Sequence, residues 1–190
     1  MMKMKTILLL LLFFVGGCLP KYTTPVRVKD YAYRGALFLP VTEIRLTSLV
    51  ENDGRLPHIE NQMPMTPERS LKNWAFIRLR GNYEKPFTAE FVVRKAEMLR
   101  EDAPEESFFV YDNYKYTLNY DVVLNIKNTQ GENVTTYESA GTVAGTLPMK
   151  SSINEKDAMF VDMLDMMIED LDKDISEKIK QNPLAKEKKI

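Results

Sequence analysis

Between Tyr114 and Lys127 apolar and polar side chains alternate almost without a break. Tyr114, Tyr116, Leu118, Tyr120, Val122, Leu124 and Ile126 share one parity, and Lys115, Thr117, Asn119, Asp121, Asn125 and Lys127 share the other. Only Val123 breaks the pattern. Successive side chains of a strand point to opposite faces, so this segment is a strand with one packed face and one wet face. Such one-sided strands belong to antiparallel sheets, whereas parallel strands covered on both sides run continuously apolar.

The rest of the sheet is read outward from this strand. Asn128-Thr129-Gln130-Gly131 is its hairpin turn, and the return strand runs from about Glu132 to Thr146. Small residues at Ser139, Ala140, Gly141, Ala144 and Gly145 would let a helix approach the sheet closely. Phe87 to Met98 is another strand. Phe87, Ala89, Phe91 and Val93 share one parity, Ala96 and Met98 take the other, and the switch near Arg94-Lys95 predicts a β-bulge or the strand's end. Val41 to Val50 alternates too, with Ile44, Leu46 and Val50 opposite Glu43, Arg45 and Thr47.

Two helices complete the set. Thr66-Pro67-Glu68-Arg69 is a helix start, with Thr as N-cap and Pro at the first helical position, and the helix is expected to run to about Arg80 and stop at Gly81-Asn82. The second runs from Ser152 or Asn154 to Gln181. Phe160, Met163, Leu164, Met167, Ile168, Leu171 and Ile175 form its apolar stripe, and Asp162, Asp165, Glu169 and Asp172 are expected to face away. Met166 lies off the stripe and is expected to be exposed. The order β-α-β-β-β-α predicts an α+β fold: two layers, a twisted antiparallel sheet of about four strands with two helices on one face.

Composition excludes several chemistries. The 26 basic and 27 acidic residues nearly cancel, which argues against nucleic acid as a partner. With one cysteine and one histidine, an internal disulfide, a Cys/His zinc site and a Cys-Cys redox pair are all impossible. His58 lies near Glu60 with no nucleophile or ligand set beside it in sequence, and no HExxH, GxSxG or glycine-rich phosphate loop occurs. Asp170-Leu171-Asp172-Lys173-Asp174 begins like a calcium loop, but the sixth and twelfth positions are Ile175 and Gln181, so the acids read as the solvated face of a helix. These readings predict no catalytic residues, no metal and no enzyme.

Arg78 is the anomaly. Leu71, Trp74, Ala75, Ile77 and Leu79 define the apolar stripe of the first helix, and Arg78 falls near its middle. A guanidinium aimed at a core needs partners. The expected partner is a carboxylate such as Glu60 or Asp121, or a set of loop carbonyls. The functional version of this reading is an anion site formed by Arg78, Trp74 and Glu60.

The N-terminus carries the address. Lys3 and Lys5 precede an unbroken apolar run from Ile7 to Val15. As a helix that run covers about 14 Å, too short for a hydrocarbon core of about 30 Å, so it reads as an export signal rather than a membrane span. Its ending, Val15-Gly16-Gly17-Cys18, resembles the bacterial lipobox. The resemblance implies cleavage before Cys18, diacylglycerol on its sulfur and an acyl chain on its new amino group, with no other cofactor. Each buried methylene contributes about 0.8 kcal/mol to such an anchor. Leu19 rather than Asp follows the cysteine, which by the same analogy implies the periplasmic face of the outer membrane. Cleavage removes Lys3 and Lys5, so 24 of the 26 basic residues remain against 27 acidic ones, a net of −3. The lipid, not charge, is then the anchor. The expected layout is a signal peptide at 1–17, lipidated Cys18 and tether at 18–40, a periplasmic α+β domain at 41–182 and a frayed tail at 183–190.

The stretch His58-Ile59-Glu60, Pro64, Thr66-Pro67-Glu68, Leu71, Trp74-Ala75 and Arg78-Leu79 resembles a group of uncharacterised proteobacterial, chiefly alphaproteobacterial, lipoproteins. Their W-A-x-x-R-[LF] helix precedes a strand–strand–strand–helix ending. More loosely, the chain order looks like auxiliary lipoproteins of ABC-type lipid transporters. The group resemblance implies no activity. The absence of catalytic groups and a sheet with a spare polar face lead to the expectation of a non-enzymatic adaptor or accessory subunit of an envelope assembly or transport system, bound to the membrane through its lipid. The looser resemblance implies an envelope protein partner. The alternative is a carrier holding a lipid or small ligand between sheet and helices near Trp74.

Overall fold

A computed structural model describes residues 31–51, 54–103 and 113–182. The expectations for the signal peptide, for Val15, Gly16, Gly17 and Cys18, for the tether up to residue 30 and for the tail at 183–190 lie outside the described residues.

The alternating segment is the centre of the sheet. β5 (Asn113–Lys127) pairs antiparallel with β4 (Thr88–Asp102) on one side and β6 (Asn133–Pro148) on the other. The turn into β6 closes with Asn128 N donating to Glu132 O over 3.0 Å, and Gly131 supplies its φ of +84°. The parity switch in β4 is a bulge between Val93 and Lys95. It keeps the strand's apolar residues on one face: Ala89, Phe91, Val93, Ala96 and Met98 are all buried.

β2 (Glu43–Ser48) completes the order β2-β4-β5-β6. The two-layer α+β expectation holds, but this last pair is parallel, with Glu43 opposite Thr88 and Ser48 opposite Val93. An all-antiparallel sheet is therefore corrected at one edge. α1 (Pro67–Arg78) lies between β2 and β4 in the chain and carries it back along the sheet, so β4 starts from the same end as β2.

A second, two-stranded parallel sheet pairs β1 (Leu37–Leu39) with β3 (Leu79–Gly81). It approaches so closely that a Cβ on Gly81 would stand 2.5 Å from the Val41 carbonyl oxygen. Tyr31 and Leu39 are buried. Residues 31–40, assigned to the tether by sequence, thus belong to the packed unit, which begins before residue 41.

Local signals set both helices. Thr66 caps α1 by accepting from Arg69 N, with Pro67 in the first turn. Ser152 and Glu155 form a reciprocal capping box at the start of α2 (Ile153–Gln181). Both helices lie on the same face of the sheet: Trp74 of α1 packs on Phe91 at 5.7 Å between ring centroids, and Phe160 of α2 on Tyr116 at 5.3 Å. The small residues of β6 receive α2 as expected. The Met159 sulfur lies 3.2 Å from where a Cβ on Gly145 would be, and the Tyr120 ring crosses over Gly141 to donate to Asp170 at 2.6 Å.

Candidate functional site

The buried stripe of α1 is Leu71, Trp74, Ala75 and Arg78. Arg78 is 4% exposed, so its guanidinium enters the core. Its partner is neither Glu60 nor Asp121 but Asp172 of α2, with Arg78 Nε donating to Asp172 Oδ1 over 2.6 Å. Trp74 Nε1 donates to the same oxygen over 2.8 Å. Arg34, in the short 3₁₀ turn Tyr31–Arg34, donates from Nη1 to Asp172 Oδ2 over 2.9 Å and from Nη2 to Glu169 over 3.1 Å. Tyr31 of that turn donates to the Asp165 carbonyl oxygen over 3.0 Å.

Two acids expected to face solvent are therefore inside: Asp172 is 3% exposed and Asp165 is 7%. The single-stripe reading supposed that α2 meets only a sheet. It also meets α1 and the turn at Tyr31, so its buried arc is wider and takes in the flank that bears Asp165, Asp172 and Ser176. The acids of the calcium-like stretch point apart: Asp170 to Tyr120, Asp172 to α1, and Asp174 to Lys178.

Burial alone would push the Asp172 carboxyl up. The hydrogen bonds from Arg78, Arg34 and Trp74 outweigh that and hold it below the ordinary carboxylate range. An acid this firmly ionised, with both oxygens engaged by donors, is a poor proton acceptor at neutral pH. The arrangement is a clamp joining the N-terminal turn, α1 and α2. It takes up Arg78 Nε and Trp74 Nε1, while the buried Arg78 Nη1 has no hydrogen-bond partner among the described residues.

Glu60 serves elsewhere. In the turn Glu60–Gln62 it is 6% exposed, and its Oε1 accepts from Met98 N over 2.7 Å, with His58 Nδ1 at 3.3 Å. Ile59 N donates to Met98 O over 3.0 Å. The loop is thereby pinned along β4, and the three residues of the proposed anion site are split between two structural tasks.

Asp121 lies on the opposite face of the sheet. There Arg94 joins it at 2.9 Å to Glu138 at 3.2 Å, across three strands. Lys127 pairs with Glu90, and its hydrogen bond holds that carboxyl below its usual range. Asn119 donates to Glu97 and accepts from Thr142, and Thr136 donates to Asn125. The uncovered face is a cross-linked polar lattice that spans all four strands, since Thr47 of β2 also donates to Glu90.

The sequence signal that could have exposed the clamp is the pair Trp74 and Arg78. Four residues apart, they place two hydrogen-bond donors on one buried helical stripe, which demands an acceptor from a distant element. Among the described residues, a hollow of about 410 Å³ lies between β6 and the end of α2, and one of about 70 Å³ beside His58.

No family model matches the chain, and no curated protein matches it. Among solved structures it is similar to a minor lipoprotein from Acinetobacter baumannii, at 17% identity over 74% of this chain and 91% of that one, with a TM-score of 0.40. It is similar to lipoprotein B from Nitrosomonas europaea at 12% identity, over 83% of this chain and 94% of that one, with a TM-score of 0.40. For the rare lipoprotein B from Shewanella oneidensis the values are 11%, 74% and 98%, with a TM-score of 0.37.

Proposed function

We propose that the chain is a lipid-anchored envelope protein, held at the periplasmic face of the outer membrane through Cys18. It works as a non-enzymatic adaptor or accessory subunit of an assembly or transport system. The observation that carries the adaptor reading is the one-sided architecture. Both helices pack on one face, and the other presents a four-stranded polar surface fixed by cross-strand ion pairs. A surface held rigid by its own lattice costs little side-chain entropy to dock.

The anchor reading rests on the lipobox-like ending before Cys18, and Leu19 after it favours the outer membrane. Among the described residues no helix is long and apolar enough to cross a membrane. The space that a carrier would give to its ligand is filled by side chains: Trp74, Phe91, Tyr116, Leu124 and Met167 are each at most 2% exposed.

The reading is tested in cells by placing a photoreactive residue at Thr117, on the polar face, and at Asp162, on the outer side of α2. The adaptor role requires one discrete protein captured from position 117 and not from 162. Capture from neither position, with the protein shown to be in the membrane, overturns it.

A further inference from the structure

The two edges of the sheet are built differently. β2 is six residues long, and its Glu43 and Arg45 pair with one another along the edge. Its chemistry is that of an edge guarded against further pairing. β6, at the other edge, is sixteen residues long. From Ser139 to Met149 it carries no charged residue, and its first proline is Pro148.

The direction of its backbone groups follows from one contact. Lys178 Nζ reaches the Glu138 carbonyl oxygen over 2.5 Å from α2, outside the β5–β6 ladder. The Glu138 carbonyl therefore points away from β5. The register runs without a shift from Thr135 to Pro148. In an antiparallel pair alternate residues turn their N–H and C=O outward, so Ala140, Thr142, Ala144 and Thr146 do the same. Among the described residues no hydrogen bond reaches these outward groups.

The edge also has an apolar wall. Met159 lies over Gly145. Met166 is two turns further along the same flank of α2 and is 58% exposed. Further on, Lys178 at Glu138, and Asn182 at Tyr137 and Thr135, close the edge. Among the described residues, what remains uncovered is a slot from Ala140 to Thr146, with backbone donors and acceptors on its floor and methionine on one side.

We propose that this slot takes up an extended, uncharged segment of another protein as a fifth strand of the sheet. Main-chain hydrogen bonds give such strand addition its affinity, and alternate side chains of the guest give it specificity. One set of guest side chains would lie on Met159 and Met166, whose flexible thioethers adapt to varied shapes. The other set would extend the outer face beside Ala140, Thr142, Ala144 and Thr146, the uncharged outer residues of this stretch of β6, with Asp121 and Lys115 one strand further in. A second copy of this chain fits less well. Pairing β6 with β6 would bring two α2 helices, each packed over its own β6, to about one strand spacing, about 4.8 Å, whereas helices need about 8–10 Å between axes.

This inference rests on the adaptor reading, and the test separates the two. The full chain is expressed in its own cells with a photoreactive residue at Val143, which faces α2, or at Ala144, which faces outward. Strand addition predicts that both positions capture the same protein, at neighbouring residues of one segment free of Asp, Glu, Lys and Arg. Ala140→Pro deletes an outward N–H while sparing the β5 ladder, and should reduce both captures at least tenfold, whereas Ala140→Val should not. If Ala140→Pro fails to fold, Thr146→Pro makes the same kind of deletion. Capture from 144 alone, or capture indifferent to proline, overturns strand addition and leaves docking on the polar face intact. A product of twice the chain's mass replaces the foreign strand with a second copy. Capture from neither position, while position 117 still captures, also overturns the inference.

Discussion

Arg78 donates to Asp172 across 2.6 Å, although 94 positions separate them in the chain. The bond joins the last residue of α1 to the last third of α2 and is shielded from solvent on both sides, each side chain being 5% exposed. Asp172→Ala would leave Arg78 buried without its carboxylate, with Arg34 and Trp74 losing an acceptor as well. Breaking a buried pair from one side costs about 3–5 kcal/mol, so the variant should lose that much in urea unfolding. Arg78→Met should cost less, because Arg34 and Trp74 still compensate Asp172. The double variant Arg78→Met/Asp172→Leu should be more stable than the sum of the single losses.

The same carboxylate makes stability depend on acid. Its folded pKa lies below the ordinary value, so its contribution is complete above the unfolded pKa of about 4 and is lost as pH falls through the folded value. Unfolding free energies measured from pH 6 down to pH 2 should fall more steeply in the parent protein than in Asp172→Asn. The two curves should converge at the acid end.

Gly81 offers a test of the small parallel sheet. A Cβ there would meet the Val41 carbonyl oxygen at 2.5 Å, and backbone cannot swing aside. Gly81→Ala should destabilise by about 1–3 kcal/mol. Gly145→Ala meets only the Met159 sulfur, at 3.2 Å and at the end of a flexible side chain, and should cost clearly less. Thermal melts of the two variants decide the order.

Cys18→Ser removes the proposed acylation site. The variant should leave the membrane fraction and should not incorporate radiolabelled palmitate, while the domain, separate in sequence from residue 18, keeps its melting temperature. Unchanged membrane association after this substitution would overturn the anchor reading.

Much of this architecture is legible in sequence where physics is local. The alternation of β5, the bulge at Arg94 and the caps at Thr66 and Ser152 each depend on residues within a turn or a strand. The three-residue strands at Leu37 and Leu79 are too short to alternate visibly. The parallel pairing of β2 depends on where α1 returns the chain, which no local pattern encodes. At the candidate site the reading of Arg78 as buried and paired was legible, because a charge on an apolar stripe needs an acceptor. Its partner was not. Asp172 stands among acids spaced like a solvated face, and only the packing of α2 against α1 and the turn at Tyr31 separates it from exposed Asp162.

The turn at Tyr31–Arg34 is fastened to α2 by bonds that span 134 and 138 positions. The first described element of the chain is thus closed by the last described one. Contacts of such long range form late, because their loop entropy must be met before they can contribute. A chain emerging N-terminus first cannot complete this fold until α2 has followed. Until then the turn at Tyr31–Arg34 lacks its partners, and α2 acts as the latch that ends folding.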